Sequence, residues 1–355
     1  MKEIIIVHDS GTLYFGALVT LAEKRKTQIS HYYAHFMKFM AKGIIRRDPA
    51  MAERALKSLL FWISSFFMSG STVMIALAPY DPAIFWWKHL SAKNSVIYHT
   101  SWPYWINDDQ PEKPLFFKGF FLRLWKGFVE SQNVRTVCVL EKTKKEIEKK
   151  FAAVKNRPSV IPHSIDRAVF YPGRRGKSRH IKVLYAGRLE FQKGLFYLAE
   201  AMTRLKDSGI MFGICGSGKH KQMLKAVLSM PHVRDHGQAK DRKTMAAVMR
   251  QYDVLVVPSF KTKNWEELFG MVVIEAMACG LAVVATDCVG PKSIIRHMKN
   301  GLLIRQKDTG AIVSALSILD RDRRLALKLA KGGLKTAAAY DVKRVSGLWE
   351  GLLYA

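Results

Sequence analysis

"WEELFGMVVIEAMACGLAVVAT", residues 265–286, places two carboxylates, Glu267 and Glu275, eight positions apart with a glycine between them in a nearly unbroken apolar run. Just upstream, "VLVVPSF" (254–260) has the composition of a buried strand ending in a Pro-Ser turn. Together they predict a strand, a polar loop, a helix from near Gly270 through Ala278, and a second strand over 282–286. Glu267 then falls just before the helix, and Glu275 lies one to two turns inside it. The first amides of a helix lack intrahelical acceptors, and the dipole puts positive potential there. The amides of Gly270, Met271 and Val272 are therefore a candidate anion site. A carboxylate beside such a site suits hydroxyls, not a bare phosphate. Two of them imply a ligand with hydroxyls on both sides of its phosphates, and ribose–diphosphate–hexose has that form. A helix-start acid and a surface glutamate are the plain alternative. Against it, the residues around Glu275 in "VVIEAMACG" are all apolar.

The same alternation extends outward in both directions. Strands are expected over 3–7, 72–77, 95–99, 136–140 and 159–162, then over 181–187, 211–216, 254–259, 282–286 and 301–305. Helical patterns such as 194–206, 241–251 and 309–318 separate many of them. Short runs buried on both faces with helical crossovers belong to parallel sheets. The pattern restarts near residue 181, after "FYPGRRGKSRH" (170–180), a linker by composition. Two doubly wound α/β domains are expected, facing across a cleft, with ligands beyond the carboxyl ends of the strands.

Two further loops carry candidate chemistry. In "YAGRLEFQKG" (185–194), Arg188 and Lys193 project beyond a strand end, as cations facing a diphosphate do; a solvated basic loop is the alternative. In "ICGSGKHKQML" (214–224), a strand runs into Gly-Ser-Gly, which can cradle a phosphate or let another loop approach closely.

The 355 residues hold 57 Lys and Arg against 29 Asp and Glu, a net +28. Residues 1–170 carry 25 basic and 14 acidic side chains and the remainder 32 and 15, so the charge belongs to the whole molecule. It favours a polyanionic partner: nucleic acid, an anionic bilayer or phosphorylated substrates. Cys138, Cys215, Cys279 and Cys288 form no CxxC pair and are expected as buried thiols in a reducing compartment. The N-terminal apolar run is too short for a signal peptide, and no run of 18 apolar residues occurs. Asp320 and Asp322 are expected to open a helix, Asp108 and Asp109 to form a turn, and His163 and His297 to be structural or solvated and not catalytic. No metal site is expected.

"EELFGMVVIEAMACGLAVVAT" resembles the Glu-x7-Glu signature of the large retaining glycosyltransferase family 4, which has the GT-B fold of two Rossmann-like domains. "LYAGRLEFQKGLFYLAEAM" (184–202) is similar to its Gly-Arg-Leu…Lys-Gly segment. "ICGSGKHKQML" is similar to its Gly-Asp-Gly loop, and "VIPHSIDRAVFYP" (160–172) to its crossover between domains. The resemblance is specific from about residue 134 to 305. It implies an acceptor-side domain over 1–170, a nucleotide-sugar domain over 171–335, and a C-terminal helix, 336–355, crossing back. It implies a UDP-, GDP- or ADP-sugar donor, retention of anomeric configuration and no cofactor or essential metal. Glu275 would hold ribose hydroxyls and Glu267 the donor sugar's. Phe269, Gly270, Met271 and Val272 would line the sugar and phosphates, and Arg188 and Lys193 would face the departing diphosphate. His99 would face the sugar, Gly11 and Gly216 would lie near the phosphates, and Ala239 near the base. Three departures stand out. "HDSGTLYFG" (8–16) offers only Gly11 where the family often has Gly-Gly, Leu268 replaces a glycine, and Ser293 stands at the position of an acid.

The aromatic run "LFFKGFFLRLWKGFVE" (115–130) sets Lys118, Arg123 and Lys126 opposite Phe116, Phe117, Phe120, Phe121, Leu124 and Phe128. That is the pattern of a helix in a membrane interface or of one packed on a core, and "ALKSLLFWISSFFM" (55–68) shares it. With the net charge, the expectation is a cytoplasmic enzyme, peripheral on the inner face of the membrane. It would act on a lipid-linked or cell-surface glycan acceptor, without nucleic acid. The rival readings are a nucleotide-sugar epimerase of the same fold, a basic nucleic-acid-binding protein, and a nonenzymatic scaffold.

Overall fold

A computed structural model describes residues 3–10, 12–106, 118–173, 178–263 and 265–354. Gly11, the Asp108–Asp109 turn, Phe116 and Phe117 lie outside those residues. The chain forms two units, Met1–Ser164 with Val342–Ala355, and Ile165–Asp341.

The first unit is a six-stranded parallel sheet in the order β2-β1-β3-β4-β5-β6. Its strands are β1 (Glu3–Val7), β2 (Gln28–Tyr32), β3 (Thr72–Ile75), β4 (Ser95–Thr100), β5 (Val134–Cys138) and β6 (Ser159–Val160). Ile4, Ile6, Met74, Ile97 and Val137 bury one face of this sheet with Leu18 and Leu21 of the helix Gly16–Arg25. The helix Val342–Tyr354 adds Val345 and Trp349 to the same core.

The second unit repeats the plan with β7 (Lys182–Ala186), β8 (Met211–Cys215), β9 (Val233–Asp235), β10 (Val254–Val257), β11 (Ala282–Thr286) and β12 (Leu302–Ile304). The order is β12-β11-β10-β7-β8-β9, all parallel. Val183, Ile214, Val256 and Val284 form the core with Leu198 and Leu316 from the covering helices. Each sheet reverses its strand order once, between β1 and β3 and between β7 and β10. Ligands of open parallel sheets bind at such points.

The break between units falls at Ser164 and not at residue 170, and the return falls at Val342, after the helix Arg323–Ala337. Backbone bonds explain the shift. Ile165 donates to the Tyr340 carbonyl at 2.9 Å, and Arg250 Nη1 donates to the Val169 carbonyl at 3.2 Å. The segment 165–170 is thus anchored in the second unit. All four cysteines are buried free thiols. Asp322 caps the helix Arg323–Ala337 by accepting from Leu325 N, while Asp320 lies inside the preceding helix and accepts from Ile181 N. His297 Nδ1 accepts from Leu303 N.

For part of the aromatic helix the core alternative holds. Within Lys118–Val129, Trp125, Phe128 and Val129 are fully buried, so Phe128 belongs to the core and not to a lipid-facing stripe. Among the described residues no helix is long and apolar enough to cross a membrane.

At the reversal point of the first sheet, one side chain joins three loops. His35 Nδ1 meets Asp9 Oδ2 at 2.7 Å, after β1, and His35 Nε2 meets Asp81 Oδ2 at 3.1 Å, after β3. Asp9 Oδ1 also accepts from the amides of Ala34 and His35. The bonds to Asp81 and Asp9 outweigh partial burial and raise the His35 pKa from 6.5 to about 10. A raised histidine stabilises the fold fully below its unfolded pKa and loses that contribution as pH rises through the folded one. The difference in unfolding free energy between wild type and His35→Ala, from urea titrations, should therefore shrink between pH 6.5 and about 10. A difference constant over that range would show that the tie is not ionic.

Candidate active site

The second unit brings its candidate residues to the carboxyl edge of β7, β8 and β10. After β7 the chain turns at Gly187 and reaches Gly194 through a short 3-10 turn, Phe191–Lys193. Gly194 has φ 76°, and a Cβ built there would lie 2.0 Å from the Pro258 carbonyl oxygen. A glycine is needed on both counts. The loop after β7 thus closes onto the loop after β10, and Phe260 N donates to the Gln192 carbonyl at 3.0 Å.

That approach carries Lys193 to Glu267. Lys193 Nζ pairs with Glu267 Oε2 at 2.5 Å, with both side chains largely shielded from solvent, and lies 4.8 Å from the centre of the Trp265 ring. Glu267 is held from the other side as well. Gly290 N donates to its carbonyl at 2.9 Å, and a Cβ on Gly290 would stand 2.4 Å from Phe269 N. The adjacent Glu266 points the other way: it is buried and accepts from Val289 N at 2.7 Å. Glu266 also lies 3.9 Å from Lys261 Nζ, so the two neighbouring carboxylates meet different lysines, and Glu267 meets the one from the loop after β7.

The helix Met271–Ala278 starts where the sequence places it. Gly270 is its N-cap, at φ 90°, ψ 60°. Val273 N closes a short turn on the Gly270 carbonyl, and the amides of Met271 and Val272 precede the first intrahelical acceptor. Phe269 is buried, edge-on to Tyr340. Glu275 is buried too, and its partner is Arg242, with Nη2 to Oε1 at 3.1 Å. Burial pushes the Glu275 carboxyl above the usual range, and the Arg242 guanidinium offsets this only in part. Arg242 also lies 4.9 Å from the Phe170 ring centre.

The remaining candidates are placed differently. Arg188 is mostly exposed and pairs with Glu190 at 3.0 Å. Gly216 does not offer its amide to a ligand, because that N–H donates to the Gly237 carbonyl at 2.7 Å. Its role is close approach: a Cβ there would lie 1.9 Å from the Gly187 carbonyl oxygen. Ala239 follows that loop, and its amide bonds the Cys215 thiol. His99 belongs to the first unit, near the end of β4. It is buried against Phe15, His163 and Trp349, and burial, then the neighbouring His163, holds its pKa well below the usual value. It is neutral at physiological pH. Among the described residues no cluster of three or more His, Cys, Asp or Glu could hold a metal ion. Arg242, Trp265 and Glu266 were not foreseen. A helix-opening arginine and a loop tryptophan carry no local signal for the contacts they make.

Gly194→Ala tests the loop contact. The steric and backbone penalties should lower the unfolding free energy by roughly 2–4 kcal/mol in urea titrations. A loss below about 0.5 kcal/mol, the scatter expected of a neutral surface substitution, would mean that the two loops are not held together there.

Residues 180–322 match the sequence pattern of the family described as "Glycosyl transferases group 1". The chain is 31% identical over 159 residues to N,N'-diacetylbacillosaminyl-diphospho-undecaprenol alpha-1,3-N-acetylgalactosaminyltransferase of Campylobacter jejuni, covering 45% of this chain and 40% of that protein. It is 32% identical over 163 residues to a phosphatidyl-myo-inositol mannosyltransferase of Mycobacterium leprae, covering 45% and 42%. It is 27% identical over 236 residues to a D-inositol 3-phosphate glycosyltransferase of Jonesia denitrificans, covering 60% and 54%. The chain thus spans about half the length of the curated relatives it matches. Among solved structures, sucrose-phosphate synthase of Thermosynechococcus elongatus superposes with a TM-score of 0.73 at 16% identity, over 100% of this chain and 98% of that one. The Anabaena protein HepE in complex with UDP gives 0.68 at 14% identity, over 99% of each chain. Residues 180–322 thus carry the glycosyl transferases group 1 pattern, in a chain that has the GT-B fold.

Proposed function

We propose that this chain is a retaining glycosyltransferase that moves a hexose from a nucleotide-diphosphate sugar to a lipid-linked or cell-surface glycan acceptor at an anionic membrane face. The observation that carries the reading is the pair of shielded carboxylates bracketing one helix N-terminus, each already matched to a cation: Glu267 to Lys193 and Glu275 to Arg242. A donor with hydroxyls at both ends and a diphosphate between them suits that order of charges. Glu275 accepts from the ribose hydroxyls and Glu267 from those of the hexose. Lys193, the amides of Met271 and Val272 and the helix dipole behind them face the diphosphate.

The chemistry follows from where charge develops. As the bond from anomeric carbon to phosphate oxygen breaks, its electron pair stays on the phosphate. Lys193 and the helix tip are fixed before the reaction, so they stabilise that charge without reorganising, commonly the largest single contribution to catalysis. Arg188, on the same loop and exposed, can leave Glu190 for the diphosphate. As the new glycosidic bond forms, the acceptor hydroxyl gives its proton to the departing phosphate oxygen, which has gained the electron pair. The acceptor class is supported by the Campylobacter and mycobacterial relatives, whose names specify polyprenyl-diphosphate and phosphatidylinositol substrates. UDP is supported as the leaving group by the HepE complex.

A thermal-shift screen of UDP, GDP, ADP and their hexose conjugates tests the donor site. At a hundredfold excess over Kd, binding stabilises by about 2.7 kcal/mol, a readily measured rise in Tm. At least one nucleotide should give it, and Glu275→Ala should abolish it. Equal shifts for both proteins would remove the assignment. Glu267→Gln should keep the nucleoside-diphosphate shift yet lower kcat for sugar transfer by roughly 100-fold or more. Because the Glu275 pKa is raised, protonation on acidification reaches it before an ordinary glutamate. Donor affinity in wild type should weaken as pH falls, starting above the usual carboxylate range, while Glu275→Gln should show a flatter profile.

A further inference from the structure

Two helices of the first unit are built inside out. Phe36–Arg46 buries only Gly43 fully, while Met37, Ile44 and Ile45 stand 75%, 68% and 81% exposed. Pro49–Ser65 buries Ala55, Ser58, Phe61 and Ser65. Its exposed side carries Leu56, Leu60 and Ile63, and Phe67, just beyond the helix, is 81% exposed. Positions 56, 60, 63 and 67 follow the helical repeat and form one apolar stripe roughly 16 Å long at 1.5 Å per residue. Water-soluble helices do the reverse, hiding large apolar groups and showing small and hydroxyl ones.

The two helices form a tight hairpin. Asp48 caps the second by accepting from Met51 N at 3.0 Å, and Gly43 approaches so closely that a Cβ there would lie 2.9 Å from Ala52 N. The outward stripes are therefore held on a fixed scaffold. They are not a frayed end awaiting burial.

The charge around them is one-sided. Residues 36–67 contain Lys38, Lys42, Arg46, Arg47, Arg54 and Lys57 against Asp48 and Glu53. Both acids are committed, Asp48 as the cap and Glu53 to Lys57 at 2.7 Å. Lys42 Nζ lies over the Phe39 ring, 5.2 Å from its centre, a cation beside an aromatic on the same helix. Projecting apolar side chains among long cationic ones match a layer with acyl chains below and anionic headgroups above.

We propose that the hairpin of helices Phe36–Arg46 and Pro49–Ser65 is a membrane-docking element. It inserts Ile44, Ile45, Leu60, Ile63 and Phe67 into the interface of an anionic bilayer, with the surrounding Lys and Arg on its phosphates. This deepens the membrane part of the proposed function and is independent of the transfer chemistry.

Flotation of the full chain tests it, with vesicles of phosphatidylcholine alone and with an equal part of phosphatidylglycerol. The protein should float with the anionic vesicles at low salt, release in high salt, and bind pure phosphatidylcholine weakly. Replacing Ile44, Ile45 and Phe67 together by Ser should lower partitioning at least about tenfold. Arg46→Glu with Arg47→Glu should remove most of the anionic preference. The nucleotide thermal shift, read in the same proteins without lipid, should be unchanged. Its loss in wild type would refute the donor site and not the docking surface. Because the native cysteines are buried, Ile45→Cys or Phe67→Cys can take an environment-sensitive dye, whose emission should shift to the blue on anionic vesicles. No flotation of wild type, or equal flotation of the triple variant, would overturn the proposal. So would a concentration-dependent dimer in light scattering that the triple variant abolishes, which would assign the surface to a second copy of the chain.

Discussion

A single backbone contact organises the second unit: Gly194 in the left-handed region, pressed against the Pro258 carbonyl. It lies where the strand order reverses, between β7 and β10, where the following loops diverge to opposite sides and leave a crevice. In this chain the crevice is drawn together. The contact sets the distance between Lys193 and Glu267, one on each loop. Gly216 against the Gly187 carbonyl repeats the device one strand over, and Gly290 against Phe269 repeats it beyond β11. Three loops are fixed by the absence of a side chain, at positions where any Cβ would force them apart.

Fixed loops make the electrostatics meaningful. Lys193 and Glu267 are both shielded, so each neutralises a charge the other would find costly to leave unpaired. Glu275 is more deeply buried, and its cationic partner, Arg242, is more exposed. The balance there is different: burial wins over the arginine, and the carboxyl is displaced upward. Glu275 is thus the carboxylate whose titration burial displaces. A ligand hydroxyl that hydrogen-bonds Glu275 supplies part of the stabilisation that water cannot. Under the proposed function, that bond is a physical basis for ligand affinity.

Much of this was legible in residues. Interior strands such as β10 and β11 are continuous apolar runs because both their faces are covered, and the sequence marks them clearly. The two strands that sequence misses, β2 and β9, are edges. "QISHY" and "VRD" have one neighbour each and little to bury, so nothing in their composition separates them from loops. The placement of Glu267, Gly270 and Glu275 was readable because one strand–loop–helix unit fixes their spacing, and that of Lys193 because it ends the loop after a separate strand, β7. Arg242 was not, because its contact with Glu275 joins two helices that only the fold brings together. Gly216 was readable as special but ambiguous in role. Cradling an anion and admitting a neighbouring loop demand the same glycine, and only the bond from its amide to Gly237 separates the two.

The aromatic and aliphatic helices of the first unit show a deeper limit. A helical wheel finds an apolar face, but it cannot say which side of the molecule that face meets. The stretches 115–130 and 55–68 looked equivalent by periodicity, and the fold treats them differently. Trp125 and Phe128 of the first are buried, while Leu56, Leu60 and Ile63 of the second face out. What distinguishes them is the opposite face. Helix Pro49–Ser65 turns Ala55, Ser58 and Ser65 inward, small groups that allow close packing, with hydroxyls that bond within the helix: Ser58 Oγ to the Arg54 carbonyl and Ser65 Oγ to that of Trp62. With Phe61 the one large apolar group on this packed face, and its hydroxyls also accepting from Tyr33 N and Trp86 Nε1, the stripe of Leu56, Leu60 and Ile63 is left facing outward. What separates an outward-facing apolar stripe from a core-facing one is therefore the composition of the opposite side of the helix, not the strength of the stripe itself.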